Sequence, residues 1–149
     1  MGRGSTLLLN VPPDRRGLIN EHDSAALVGF RKLREQNFNK PVTSKNIVLS
    51  ERPKEPLFTI KLGKATSINC VVLKEPIKMG QKIKAFIVQL KKGDTIVKEI
   101  TGTTVGRKRI LSFSAIEADT INVAITDSKP KPSLSDVKAY LIDERLIEK

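Results

Sequence analysis

The first apolar stretch of the chain is continuous rather than alternating. It covers residues 6–11 (Thr-Leu-Leu-Leu-Asn-Val) and stops at Pro12-Pro13, and the turn sequence Asp14-Arg15-Arg16-Gly17 follows it. An apolar run of this length between turn signals is typical of a strand buried on both faces, as in a parallel sheet. The pattern therefore predicts a strand over residues 6–11.

A helical period follows the turn. Leu27, Phe30 and Leu33 recur at threefold spacing, which places them on one face of a helix predicted over residues 21–37. Asn20 stands at the N-cap position, ahead of acidic residues in the first turn, where negative charge is favourable. Strand, turn and helix together have the form of one repeat of a β/α barrel.

The rest of the chain changes to a β pattern after a connector. Residues 40–56 are rich in Pro and Ser, with one short strand predicted at Ile47–Leu49. Residues 57–143 hold seven short segments rich in Ile, Val and Thr between turn signals such as Lys92-Gly93-Asp94, a pattern typical of a β-sandwich. The predicted strands are Leu57–Leu62, Ser67–Leu73, Lys82–Leu90, Thr95–Thr101, Ile110–Phe113, Thr120–Thr126 and Asp136–Ile142. The predicted organisation is a strand–helix unit over 1–39, a linker over 40–56 and a sandwich over 57–149.

Composition excludes several kinds of site. The chain has 149 residues, 39% of them apolar, which suits one modest core. One Cys and one His are too few for a disulfide framework or a four-ligand zinc centre, so neither a metal nor a cofactor is expected. The N-terminal apolar run is too short for a signal peptide, and no run of about 18 apolar residues predicts a membrane span.

The net charge of +11 raises the question of an anionic partner. The 27 Lys and Arg residues are spread along the chain, and aromatic residues, which would stack on bases, make up only 4%. The basic side chains are therefore expected to be exposed to solvent rather than to form a nucleic-acid-binding site. A basic nucleic-acid-binding protein remains an alternative hypothesis, which predicts steeply salt-dependent binding.

Three polar residues have ordinary structural roles on this pattern. His22 is expected to be exposed in the first helical turn, and Cys70 is expected to be buried among apolar neighbours. Glu75 is expected to form hydrogen bonds inside the sandwich, because no second carboxylate stands near it in the sequence.

Neither of two sets of charged side chains is predicted to bind an ion. Arg107 and Arg109 are predicted to share one strand face with Lys108 on the other, so the three do not form a single anion site. Asp119 and Asp127 flank a strand, and two acids are too few for a Ca²⁺ ion that takes about six to eight oxygen ligands.

Several stretches resemble a known family. Residues 4–14 (Gly-Ser-Thr-Leu-Leu-Leu-Asn-Val-Pro-Pro-Asp), followed by Gly17-Leu18-Ile19, resemble the end of the catalytic barrel of α-L-fucosidases of glycoside hydrolase family 29. Residues 73–83, 102–110 and 128–140 resemble parts of the β-sandwich that follows this barrel. The resemblance implies a mainly β fold: a jelly-roll-like, galactose-binding-domain-like sandwich preceded by a strand–helix remnant of a β/α barrel.

The resemblance also implies a reaction for the whole protein. Such enzymes release terminal L-fucose from glycans with retention, through two carboxyl groups about 5–5.5 Å apart. In the family both groups stand on earlier barrel strands, so no catalytic residue is expected in this chain, which alone would be a non-catalytic accessory sandwich. Asn10 and Asp14, at the end of the barrel strand, are the candidate substrate contacts. The implied partner is a fucosylated glycan, and the implied location of the parent is extracellular or periplasmic.

Two further expectations follow from the pattern. Without a barrel beside it, the apolar face of helix 21–37 should be exposed or should mediate self-association. A stand-alone carbohydrate-binding module is the second alternative, although the chain has no Trp to supply a sugar-stacking platform.

Overall fold

The computed structural model describes residues 8–43, 47–51 and 56–147. Helix α1 spans Glu21–Phe38. The strands β1 to β6 span Ile47–Glu51, Pro56–Lys74, Ile83–Lys92, Thr95–Gly102, Arg109–Ser128 and Asp136–Tyr140. Short 3₁₀ helices span Ile77–Met79 and Glu144–Leu146.

Helix α1 has nearly the limits predicted for it. The Asn20 side chain accepts a hydrogen bond from the backbone N–H of His22 at 2.9 Å, so the predicted N-cap is confirmed. His22 is exposed, as expected. None of the residues of the helix is buried. In the described ranges, no helix has the length and apolarity needed to cross a membrane.

The predicted strand at residues 6–11 is not a strand in the part of it that is described. Residues 6 and 7 lie outside the described residues, and Leu8–Val11 run as coil with Leu8 93% exposed. A parallel strand forms only when neighbouring strands satisfy its backbone groups. In the described chain this region makes instead one isolated antiparallel bridge, between Pro13 and Ile19. The predicted turn is confirmed, because the N–H of Gly17 donates to the Asp14 carbonyl at 2.9 Å.

The described strands form one antiparallel sheet in the order β1-β2-β5-β3-β4, with β6 also paired to β2. β2 and β5 are 19 and 20 residues long, and they pair along most of their length. β1 and β6 pair with opposite ends of β2, at residues 56–60 and 70–74. The β2–β5 register breaks between Lys61 and Thr66 and again between Ile68 and Cys70. Register breaks of this kind let long strands bend. Residues from both ends of the long strands enter one buried cluster, as they do between the two layers of a β-sandwich.

The sequence predicted β2 and β5 as two strands each, and the structure joins them. Gly63 has a φ of 84°, which allows β2 to bend there without ending. The short strand predicted at Ile47–Leu49 is confirmed as β1, and the predicted hairpin turn at Gly93 joins β3 to β4.

One apolar core fills the sandwich. Ile60, Phe86 and Val123 from one layer belong to the same buried cluster as Leu73 and Val137 from the other. Alternation of inward and outward residues along the strands produces this cluster, as the period-two pattern predicted.

The end of helix α1 docks on the outer face of the β2–β6 layer. The ring of Phe38 meets the ring of Tyr140 edge-to-face, with centroids 5.3 Å apart. Asn37 Oδ1 accepts a hydrogen bond from the N–H of Asp143 at 2.7 Å. These contacts attach the helix to the sandwich through its last turn.

Candidate functional site

A groove of about 810 Å³ lies between helix α1 and the edge of β5. This edge is open because β3 pairs only with residues 120–128 of β5. Among the described residues that line the groove there is no carboxylate and no histidine. The lining residues are Phe30, Leu33, Arg34, Phe38, Ile100, Thr101, Arg109, Ile110, Leu111, Ser112, Ile142 and Leu146. The groove is therefore lined by apolar side chains together with two arginines and two hydroxyl groups, and these residues cannot supply a pair of catalytic carboxyl groups.

Cationic side chains gather at this groove. Arg109 Nε is buried and has no hydrogen-bond partner in the described structure. Lys108 and Arg34 line an adjoining recess of about 250 Å³. β5 begins at Arg109, so Arg107 and Lys108 precede the strand and the predicted strand alternation does not apply to them. That the three residues do not form a single anion site stays a prediction.

Arg34 lines both the groove and the recess, a position that the sequence did not predict. Its place between Phe30 and Phe38, at fourfold spacing, is the signal that puts it on the groove face of the helix.

Asp14, a candidate substrate contact, is bound within its own turn. Its Oδ1 accepts from the backbone N–H of Arg16 at 2.8 Å and of Leu18 at 3.2 Å. Its Oδ2 accepts from Arg16 Nε at 2.9 Å and Nη2 at 2.6 Å, and this guanidinium holds the pKa of Asp14 below its usual value. The same Nη2 donates to Glu21 at 2.6 Å. The carboxylate thus stabilises the loop that leads into α1.

Asn10, the other candidate, is exposed on the coil before this turn. No hydrogen bond joins it to Asp14 in the described residues. Contact with a glycan stays a prediction for both residues.

Glu75 is a buried carboxylate that holds two loops together. It is 5% exposed, and its Oε1 accepts from the backbone N–H of Lys82 at 2.6 Å and of Ile83 at 3.0 Å. Its Oε2 accepts from the N–H of Gly106 at 3.2 Å. The predicted hydrogen-bonding role inside the sandwich is confirmed, and these bonds occupy both oxygens.

Cys70 is fully buried, as predicted. Burial raises the pKa of its thiol to about 12, so the sulfur is protonated and unreactive near neutral pH.

The two acids considered for Ca²⁺ have separate partners. Asp119 accepts from the N–H of Gly93 at 2.6 Å and caps the β3–β4 hairpin, while Asp127 pairs with Lys84 at 3.7 Å. Within the described ranges, no three His, Cys, Asp or Glu side chains are grouped as metal ligands would be.

Two curated plant proteins that are similar to this chain in sequence are α-L-fucosidases. The chain is 30% identical over 164 residues to a rice (Oryza sativa subsp. japonica) protein assigned as α-L-fucosidase 1, an alignment that covers 91% of this chain and 32% of that protein. It is 27% identical over 172 residues to α-L-fucosidase 1 of Arabidopsis thaliana, covering 95% of this chain and 34% of that one. No family model matches the chain.

A solved structure has the same architecture. The crystal structure of a glycoside hydrolase 29 family member from an unknown rumen bacterium matches with a TM-score of 0.80 and 28% identity, covering 96% of this chain and 27% of that one. The chain spans about a third of the length of the curated relatives it matches. By sequence and by fold, the chain corresponds to the C-terminal portion of the α-L-fucosidases of glycoside hydrolase family 29.

Proposed function

We propose that the chain is the non-catalytic C-terminal part of an α-L-fucosidase-like glycoside hydrolase. The whole protein would release terminal L-fucose from glycans with retention, using carboxyl groups outside this chain. The similarity to α-L-fucosidases along more than nine-tenths of the chain supports this proposal. The sandwich would support the catalytic barrel rather than perform the reaction.

The proposal that this chain packs against the catalytic barrel rests on the exposed apolar face of helix α1. Phe30 is 47% exposed and Leu33 is 38% exposed, although both belong to the apolar face of the helix. Leu18 and Ile19, in the loop before the helix, are also more than half exposed. Exposed apolar side chains of this number on one helix and its leading loop are normally covered by another protein surface. The part of the relatives that this chain does not match, which would include the barrel, is the occupant we propose.

Hydrolysis of 4-nitrophenyl α-L-fucoside by the purified chain tests the non-catalytic role. We expect no turnover above the uncatalysed rate and, by calorimetry, no binding of L-fucose. Turnover would contradict the proposal, since it requires a carboxyl pair within the chain. Fucose binding without turnover would favour the alternative of a carbohydrate-binding module.

A second measurement tests the helix face. We expect the isolated chain to bind an apolar fluorescent dye or to self-associate in sedimentation. Phe30→Asp should abolish either behaviour, and Lys32→Asp, at an exposed position of the same helix, should not. A monomer that binds no dye would argue against an unpartnered face.

A further inference from the structure

Three loops meet at one end of the sandwich, at residues 75–82, 103–108 and 128–135. Glu75 joins the first loop to the second through the N–H of Gly106. Lys82 joins the first loop to the third, because its carbonyl accepts from the N–H of Lys129 at 2.9 Å. Its Nζ also donates to the carbonyl of Lys131 at 3.3 Å. Backbone and side-chain bonds therefore fix the three loops relative to one another.

These loops carry a concentration of positive charge, which we name the cationic loop surface. Its members are the basic side chains of the three loops apart from Lys108, which lines the recess beside helix α1, and all but the half-buried Lys82 are exposed. They are Lys78, Lys82, Arg107, Lys129 and Lys131. Glu75 is the one acidic residue in the three loop sequences, and it is buried and bound to backbone N–H groups.

Neighbouring acids do not neutralise this surface. Asp127 pairs with Lys84 at 3.7 Å, and Asp136 pairs with Lys74 at 3.3 Å and with Lys138 at 3.0 Å. Among the described residues, no ion pair involves a member of the cationic loop surface. Like charges held together without counterions raise the local potential and attract an anionic partner.

The backbone at Lys131 is held in an unfavourable conformation. Its φ is 57°, in the left-handed region, and in the described chain it is the one non-glycine residue with positive φ. A lysine between two prolines gains nothing locally from this conformation, in which the Cβ is close to the following carbonyl oxygen. The surrounding structure maintains this conformation, in part through the hydrogen bond from Lys82 Nζ to the Lys131 carbonyl. The position of the Lys131 Cβ is thereby fixed. Strain that the fold maintains is typical of a ligand-contacting segment.

We propose that the cationic loop surface binds acidic glycans, polysaccharides that carry sulfate or carboxylate groups. The three loops contain no aromatic residue, so neither a neutral sugar ring nor a base can stack on them. Four of the five members are lysines, which act as point charges and do not require the planar geometry of one anion. Such a surface recognises repeated negative charge on a flexible chain. The choice of a glycan over a nucleic acid rests on the proposed function.

Binding of heparin to the full chain tests the proposal. Heparin and polygalacturonate serve as sulfated and carboxylated probes, dextran as the neutral control and a short DNA duplex as the competing polyanion. We expect salt-dependent binding of at least one acidic glycan at about 50 mM salt, no binding of dextran and weaker binding of DNA.

Two variants with equal loss of charge separate a site from net charge. Replacing Arg107, Lys129 and Lys131 by Gln should weaken binding of the bound glycan at least tenfold. It should also reduce the slope of log affinity against log salt by about 2–3, since each neutralised anionic group contributes about 0.9. The matched control replaces Lys61, Lys64 and Lys98, which are exposed and away from the three loops, and should change the affinity much less. Lys129→Gln alone, at an exposed loop position, should give a smaller step in the same direction.

Three results would overturn the proposal. They are an absence of binding to either acidic glycan, an equal loss of affinity in the control variant, and tighter binding of the DNA duplex with the same residue dependence. Each of these results is a binding measurement on the isolated chain and needs no hydrolysis assay. A failure here is therefore distinct from a failure of the proposed accessory role, which the fucoside and dye measurements test.

Discussion

The sandwich and the helix that precedes it bury their apolar residues to very different extents. Ile60, Phe86 and Val123 are 0–1% exposed within one cluster built from both layers of the sandwich. Helix α1 has 18 residues and none of them is buried. The sandwich therefore contains the surfaces that stabilise it, whereas the helix depends on capping, the Arg31–Glu35 pair and its last turn. Such local contacts are worth only fractions of a kcal/mol each, so the helix is the region that would gain most from a partner.

The largest expected difference between the two regions is in the effect of replacing a phenylalanine by alanine. Phe86→Ala should lower the free energy of unfolding by about 3–5 kcal/mol, because it removes a ring that is 1% exposed from the core. Phe30→Ala should cost about 1 kcal/mol or less, because nearly half of that side chain is already in water. Urea denaturation of the two variants measures both values. Equal losses would mean that the helix face is part of the stabilising core.

The buried carboxylate gives the next largest effect. Glu75→Gln removes the negative charge that accepts bonds from three backbone N–H groups and turns one of its oxygens into a donor. We expect a loss of about 2–3 kcal/mol in the free energy of unfolding. Glu99→Gln, at an exposed position on β4, is the control and should change little. A neutral result at Glu75 would show that water satisfies these N–H groups equally well.

Replacing a glycine by alanine should change the free energy of unfolding in opposite directions in the two regions. A Cβ at Gly102 would overlap the ring of Phe86, its partner on β3, so Gly102→Ala should cost about 1–3 kcal/mol. A Cβ at Gly29 meets nothing within 4 Å, and Gly29→Ala should stabilise by up to about 1 kcal/mol through helix propensity. Thermal unfolding of both variants gives the signs. If Gly29→Ala left the melting temperature unchanged, helix α1 would unfold separately from the sandwich.

The sequence predicted the elements whose determinants are local. Alternation of Ile121, Val123 and Ile125 indicated a half-buried strand, and Asn20 indicated the start of the helix; both are confirmed. The predicted strand at residues 6–11 depended on neighbouring strands that an apolar run cannot supply by itself. The sequence predicted that a strand ends before Gly63, whereas β2 continues through it, because a glycine signals a break and a bend equally well.

The sites depended on contacts between distant residues. Glu75 was expected to bind within the sandwich, but its partner Gly106 lies 31 residues away, which no local pattern shows. The meeting of Arg34 with Lys108 and Arg109 required the helix to dock by its last turn, a tertiary contact. The loops of the cationic surface are likewise separated in sequence and brought together by Glu75 and Lys82.

The smallest expected effect concerns the joint between the two regions. Arg145 lowers the pKa of Asp143 from 3.8 to about 2, and the backbone N–H of Asp143 donates to Asn37 at the end of helix α1. A carboxyl group with a lowered pKa in the folded state contributes stability that is complete above its unfolded value and is lost as the pH falls through the folded one. The contribution of Asp143 should therefore disappear between about pH 4 and pH 2. Asp143→Asn should lower the melting temperature slightly at pH 6 and by clearly less near pH 2, with Asp94→Asn, an exposed turn residue, as the control. A difference between Asp143→Asn and the unmodified chain that was as large at pH 2 as at pH 6 would mean that ionisation of Asp143 does not stabilise this joint.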